Sequence, residues 1–193
     1  MLGAAERLMA ASGAAELTVP EVSRESGVSV GGIYRRFANK EALLVAVQER
    51  LYERMSAEHI RMEQEAVARG QTLETRIPIL VEGLANILRR HAPMIKAIIE
   101  ASWSHPEVAR RGFEAFGIQA QRFKELVLEF RSRVHHASPE HAAEFCFSCV
   151  YEMVASYFGF GRPLTLKPIR WSMLVTDLKR LCVSYLTGRE LAP

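Results

Sequence analysis

Four residues between positions 18 and 29 leave the chain few ways to fold there. Thr18 is followed three residues on by Glu21, a capping-box pair in which the threonine oxygen takes an orphan N–H and the glutamate reaches back. Gly27 then closes the helix, because it alone tolerates the left-handed turn that a close helix pair needs. Ser29 is a good N-cap for the next helix, which runs to about Phe37. Two short helices joined by a tight glycine turn result. Val28, Ile33 and Phe37 are spaced to pack inward, which leaves Val30, Gly31, Gly32, Tyr34, Arg35 and Arg36 to face outward. Between Ser29 and Lys40 stand three basic residues and no acidic one.

Helical periodicity continues through the rest of the chain, without strand-like alternation or internal repeat. The expected fold class is all-α, with about nine helices. The first covers Leu2 to Ser12 and ends at Gly13. A long fourth helix is capped by Asn39, buries Leu43, Leu44, Val47, Leu51 and Met55, and ends near Gly70. The fifth is expected from Leu73 to His91 and the sixth from Pro93 to Ser102. The seventh is expected from Pro106 to about Val134, the eighth from Ser138–Pro139 to about Gly159, and Gly161 to Pro168 reads as a loop. The ninth carries Trp171, Leu174, Val175, Leu178, Leu181, Cys182 and Tyr185 on one stripe and stops at Gly188.

Composition excludes several classes. With 193 residues, 49% hydrophobic and 24% charged, the chain is ordinary globular material and not disordered. The net charge is only +3, and residues 1–50 balance six Lys and Arg against six acids, so any nucleic-acid binding must rest on local charge. An odd set of cysteines (Cys146, Cys149 and Cys182) in apolar surroundings suits a reducing compartment, and the spacing of the first two reads as buried small hydrophobes, not a metal site. Glu6 and Arg7 interrupt any leader-like start, and Glu152 breaks the longest apolar run, so a cytoplasmic protein without a membrane span is expected. No nucleophile–base set, phosphate loop or metal set stands out; neither an enzyme nor a cofactor is expected.

The stretch TVPEVSRESGVSVGGIYRRFANKEALL, residues 18–44, resembles the DNA-binding domain of the TetR family of repressors. The threonine-capped helix, Gly27-Val28-Ser29, Gly31, Tyr34, Phe37 and Lys40-Glu41-Ala42-Leu43-Leu44 all match in register. The resemblance implies a DNA-binding domain over residues 1–48 and a helical ligand-binding and dimerisation domain over 49–193. It places base reading at Val30, Gly31, Gly32 and Arg35, and phosphate contacts at Thr18, Ser29, Tyr34, Arg36 and Lys40. Its partners would be double-stranded operator DNA, a second copy of the chain and a small, largely apolar effector. The chain departs from the pattern at Val30 and Gly32, where polar residues are common, and a basic arm ahead of the first helix is missing. An upstream start is one explanation for that. A module that kept the fold but lost sequence-specific DNA recognition is the alternative reading.

Aromatic residues on the later helices include Trp103, Phe113, Phe116, Phe123, Phe145, Phe147, Tyr151, Tyr157 and Phe158. Most are expected in the core. Ligand candidates are Glu100, Trp103, Phe116, Phe123, Tyr151, Glu152 and Tyr157; the two glutamates are lone acids in apolar segments, where an unpaired charge is costly. The dimer face implied by the resemblance takes the small residues Ser148, Ala155, Ser156 and Gly159, with Trp171, Leu174, Leu178, Leu181 and Tyr185 of the last stripe.

Overall fold

The structure, a computed structural model, describes residues 1–160 and 169–188. It holds eight α-helices: α1 Leu2–Ser12, α2 Val19–Ser26, α3 Val30–Tyr34, α4 Lys40–Arg69, α5 Leu73–Ser102, α6 Pro106–Leu128, α7 Pro139–Tyr157 and α8 Trp171–Thr187. The expected loop at Gly161 to Pro168 lies outside the described residues. No described helix is long and apolar enough to cross a membrane.

The helix ends are written in side chains. Thr18 and Glu21 form the reciprocal box: Glu21 N donates to Thr18 Oγ1 at 3.3 Å and Thr18 N donates to Glu21 Oε2 at 3.1 Å. Gly27 takes the left-handed conformation at φ 71°, and its N–H donates to Ser23 O. Ser29 Oγ accepts from Gly32 N at 3.1 Å, and Asn39 Oδ1 accepts from Ala42 N at 2.8 Å. α3 stops at Tyr34, short of the expected Phe37. Its last turn tightens: Arg36 N and Phe37 N both donate to Ile33 O, which draws Phe37 into the core before the chain reaches Asn39.

Two other boundaries differ from expectation. The fifth and sixth expected helices are one, α5, with Pro93 inside it. A proline in a helix interior costs about 3 kcal/mol. Beyond it, however, Met94, Ile95, Ile98 and Ala101 continue the buried stripe of Leu84 and Leu88, and each large apolar side chain returns about 1.5–3 kcal/mol. Burial therefore outweighs the break, and the count among the described residues is eight. α6 ends at Leu128, not near Val134; a 3₁₀ turn at Arg131–Arg133 follows and still brings Val134 into the core.

α5 is the central helix and packs against α1, α4, α6, α7 and α8. α1, α2 and α3 gather around the start of α4, where Glu6 pairs with Arg54 at 3.0 Å and Arg50 at 3.3 Å. α4 itself runs unbroken from this cluster into the bundle. Its far end is fastened by Arg76, a buried arginine near the start of α5. Arg76 Nε donates to Gly70 O at 2.9 Å, its Nη1 pairs with Glu129, and its guanidinium lies 4.6 Å from the centre of the Phe130 ring. Arg76→Met is expected to lower stability by about 1.5–3 kcal/mol, the range for hydrogen bonds to a charged group. Urea denaturation reads it; a loss under about 0.5 kcal/mol would show that the fastening is idle.

Candidate nucleic-acid interface and ligand cavity

The end of α3 presents a bare cationic surface, with Arg35 as its C-cap and Arg36 just beyond. Val30, Gly31, Tyr34, Arg35 and Arg36 are exposed, as are Thr18 and Ser29 beside it, while Gly32 and Lys40 are half-buried. Neither Arg35 nor Arg36 has an ion-pair partner among the described residues. Not every polar group here is idle. The Thr18 hydroxyl donates to Glu21 Oε2 at 2.8 Å, and Lys40 Nζ donates to Ala15 O at 3.3 Å, so each would have to trade a local bond for a phosphate. The two arginines have no such prior engagement. An unpaired guanidinium fork at the end of an exposed short helix can bond two acceptors of one base edge or a phosphate.

The second feature is a cavity of about 420 Å³ between α4, α5, α6 and α7. Its wall is largely apolar: Leu84, Leu88, Ile95, Ile98 and Ile99 of α5, Phe116 of α6 and Phe147 of α7. α4 adds Tyr52, Met55, Ser56 and His59, and α7 adds Tyr151 and Glu152. Burial pushes the Tyr151 hydroxyl up to about 12 and raises Tyr52 as well, so both stay protonated at neutral pH. Of the expected ligand residues, Phe116, Tyr151 and Glu152 line this wall. Phe123 stands behind it against Phe147, with ring centroids 5.7 Å apart. Glu100 faces the turn after α1, where an added Cβ on Gly13 would lie 3.3 Å from its Oε2. Trp103 follows the last residue of α5 and is 68% exposed, and Tyr157 packs against Trp171 and Phe158. These four lie outside the wall because their helical phase or end position turns them elsewhere.

The start of α6 is tied from the cavity rim to α4. Glu107 N donates to Glu41 Oε1 at 3.3 Å, Gln48 Nε2 donates to Val108 O at 2.9 Å, and Arg111 pairs with Glu49. The α4 residues Gln48, Tyr52 and His59 were not singled out in the sequence. Their spacing of one and then two turns beside Leu51 and Met55 was the available signal.

α7 and α8 carry the remaining expected site. Leu174, Leu178 and Ala155 are buried within the chain itself, and Ser148, Ser156, Gly159, Trp171 and Tyr185 are half-buried. Leu181 is exposed, and so are Phe145, Met153 and Met173, which the stripe did not include. Cys146 and Cys182 are buried and free, and the hydrogen bond with Cys182, followed by burial, raises the Cys146 thiol far above its ordinary range. No group of three metal-ligating side chains occurs among the described residues.

Residues 1–47 match the family model described as bacterial regulatory proteins, tetR family. The chain carries a TetR-family N-terminal domain. The whole chain also has the fold of solved regulators of that kind. The TetR-family regulator PfmR of Thermus thermophilus superposes with a TM-score of 0.67 at 15% identity, over 98% of both chains. The regulator FadR of Bacillus subtilis, solved with stearoyl-CoA, gives 0.71 at 20% identity, covering 95% of this chain and 96% of its own. A transcriptional regulator of Rhodococcus sp. Rha1 gives 0.73 at 17%, over 100% and 97%. No curated protein matches the chain in sequence. At these identities the structural likeness shows the fold, and the family is one of DNA-binding transcriptional regulators.

Within the TetR-family domain the adjacent glycines of α3 are not equivalent. A Cβ on Gly31 would meet nothing within 4 Å, whereas one on Gly32 would lie 3.1 Å from both Ser29 Oγ and Val28 Cγ1. Gly31→Ala is therefore expected to stabilise the fold by up to about 1 kcal/mol, the helix-propensity difference. Gly32→Ala is expected to show no such gain, because the capping serine must shift. Paired thermal melts compare them; equal gains at both positions would contradict the crowding at Gly32.

Proposed function

We propose that the chain is a ligand-responsive repressor that binds a pseudo-palindromic operator as a homodimer. Residues 1–48 form its reading head and 49–193 its sensing and dimerisation domain, and it works in the cytoplasm. The observation that carries this reading is the Arg35–Arg36 surface at the end of α3, without an ion-pair partner among the described residues and inside the residues that match the family. Arg35 is assigned base reading, with Val30, Gly31 and Gly32 beside it; Thr18, Ser29, Tyr34, Arg36 and Lys40 are assigned phosphates. A five-residue helix offers few base contacts, so a two-fold pair reading two half-sites makes physical sense. The exposed apolar residues of α7 and α8 (Phe145, Met153, Met173 and Leu181) are the surface a second copy would cover.

The effector is a small, largely apolar molecule held in the cavity. Its volume lies within the ordinary range of ligand sites, and the FadR relative was solved with a ligand that has a long apolar chain. Because Tyr52, Met55 and His59 of α4 line the cavity and the rim of α6 is bonded to α4, a ligand that favours one α4 angle shifts the two reading heads. It does so only as far as its affinities for the two angles differ.

A gel shift with the intergenic DNA upstream of the protein's own gene tests the reading. Retardation that survives excess unrelated competitor is expected. No retardation of any nearby intergenic fragment at low salt, by a folded dimer, would reject it. A second reading is a module of the same fold without sequence-specific recognition, and the open space at Gly31 favours it, since two glycines bring no side chain to a base edge. Under that reading unrelated competitor abolishes the shift. Lys40→Ala separates charge from sequence reading: it is expected to flatten the salt dependence by about one phosphate contact.

A further inference from the structure

His59 is the buried cavity residue that keeps an orphan ring nitrogen, and the direction of its hydrogen bonds is fixed. Its side chain is buried, with the residue 4% exposed. Nδ1 lies 2.8 Å from Met55 O. A carbonyl oxygen only accepts, so Nδ1 carries the proton and donates. Burial is the largest influence on the ring and holds its pKa below the ordinary histidine value, against smaller upward pulls from the Met55 carbonyl and Glu58. The imidazole is therefore neutral at physiological pH, and its Nε2 is an acceptor only.

That Nε2 is shielded from water and has no hydrogen-bond partner among the described residues, so a guest's donor reaches it by parting the side chains that cover it. Native structures pair nearly all such atoms, and an orphan calls for an explanation. The other polar groups of the wall are less restrictive or less enclosed: the Glu152 carboxylate also only accepts, but it is exposed and meets water. The hydroxyls of Tyr151 and Ser56 can each turn a proton or a lone pair toward a guest, and Tyr52, which accepts from Gln48 Nε2 at 3.1 Å, keeps its own proton to give. Ser102 already donates to Ile99 O at 2.6 Å and, like His59 Nε2, has only a lone pair left, but its hydroxyl is not an orphan. Among the described lining residues there is no lysine or arginine, so nothing in the wall balances an anionic group.

We propose that the cavity takes a mostly apolar ligand without an anionic group that carries a hydroxyl or amide N–H, and that this group donates its hydrogen bond to His59 Nε2. The proposal rests on the reading of the cavity as the effector site and narrows the class of effector. His59 is thereby a specificity residue: it selects molecules with a donor over those that present acceptors alone.

The test uses the full chain and three probes with one apolar body. p-Hexylphenol carries a donor, p-hexylanisole is the same molecule with the donor methylated, and p-hexylbenzoate is its anionic counterpart. In calorimetric titration the phenol is expected to bind about tenfold or more tighter than the ether, with the benzoate weaker than the phenol. In His59→Phe the advantage of the phenol over the ether should fall below about threefold while the ether still binds. Equal binding of phenol and ether to the native chain overturns the donor assignment and leaves the cavity standing as an effector site. Retention of the full phenol advantage in a folded His59→Phe chain likewise overturns it. Binding of none of the three removes the cavity reading and the proposal with it. Nitrogen NMR of the native chain needs no variant: Nδ1 should be protonated and Nε2 bare, and a protonated Nε2 overturns the proposal.

Discussion

Arg35→Ala is expected to weaken operator binding by about 1–3 kcal/mol for each reading head, the range for a lost base-directed arginine. In a homodimer the substitution occurs twice. If the two half-sites respond independently, the loss reaches about 2–6 kcal/mol, or roughly 30-fold to more than 10⁴-fold in Kd. The fold should be untouched, because Arg35 is exposed and without an ion-pair partner among the described residues. Specificity should fall along with affinity: the ratio of operator to unrelated DNA narrows, whereas a phosphate-contacting lysine weakens both alike. Gel-shift titrations against the two DNAs, at a single stated salt concentration, measure both quantities. An unchanged ratio with reduced affinity would reassign Arg35 to the backbone.

Phe147→Ala is expected to be the most damaging of the substitutions considered for stability, at about 3–5 kcal/mol. Phe147 is 2% exposed, meets Phe116 edge-on at 5.2 Å and stacks on Tyr151 at 6.3 Å. It is also part of the cavity wall, so truncation enlarges a space that already exists and the neighbours have little to close onto. For a chain of this length each kcal/mol moves Tm by about 2–4 °C, so a drop of roughly 6–20 °C is expected. Denaturant titration with an unchanged slope would attribute it to the folded state. A loss below about 1 kcal/mol would mean the aromatic cluster is loosely packed.

Legibility differed by the kind of physics involved. Helix starts and stops were readable wherever a side chain performs the capping, as at Thr18, Ser29 and Asn39, or where glycine permits the closing turn, as at Gly27 and Gly188. Pro93 misled because its signal is local, whereas the helix is decided by what Ile95 and Ile98 bury on the far side. The stripe on α8 showed that Leu174 and Leu178 are covered, but periodicity carries no information about what covers them, and both turn into the chain's own core. The cavity was the least readable. It is a local shortage of packing, and Tyr52, Met55 and His59 have the same spacing whether they meet side chains or empty space.

α4 rises about 1.5 Å per residue, so its thirty residues make a rod of about 45 Å. Its far end is pinned where Arg76 grips the Gly70 carbonyl, and Met55, on the cavity wall, sits near mid-length. A rigid rod pinned at one end and pushed at its middle moves twice as far at the other. With Gly70 as the fulcrum, each ångström by which a guest displaces Met55 becomes about two ångströms at Lys40, where the reading head begins. Under the proposed ligand response, the gain would thus be set by the position of a buried arginine that contacts neither α3 nor the cavity wall. Loosening that grip would cost signal as well as stability, since a rod without a fulcrum translates and does not swing.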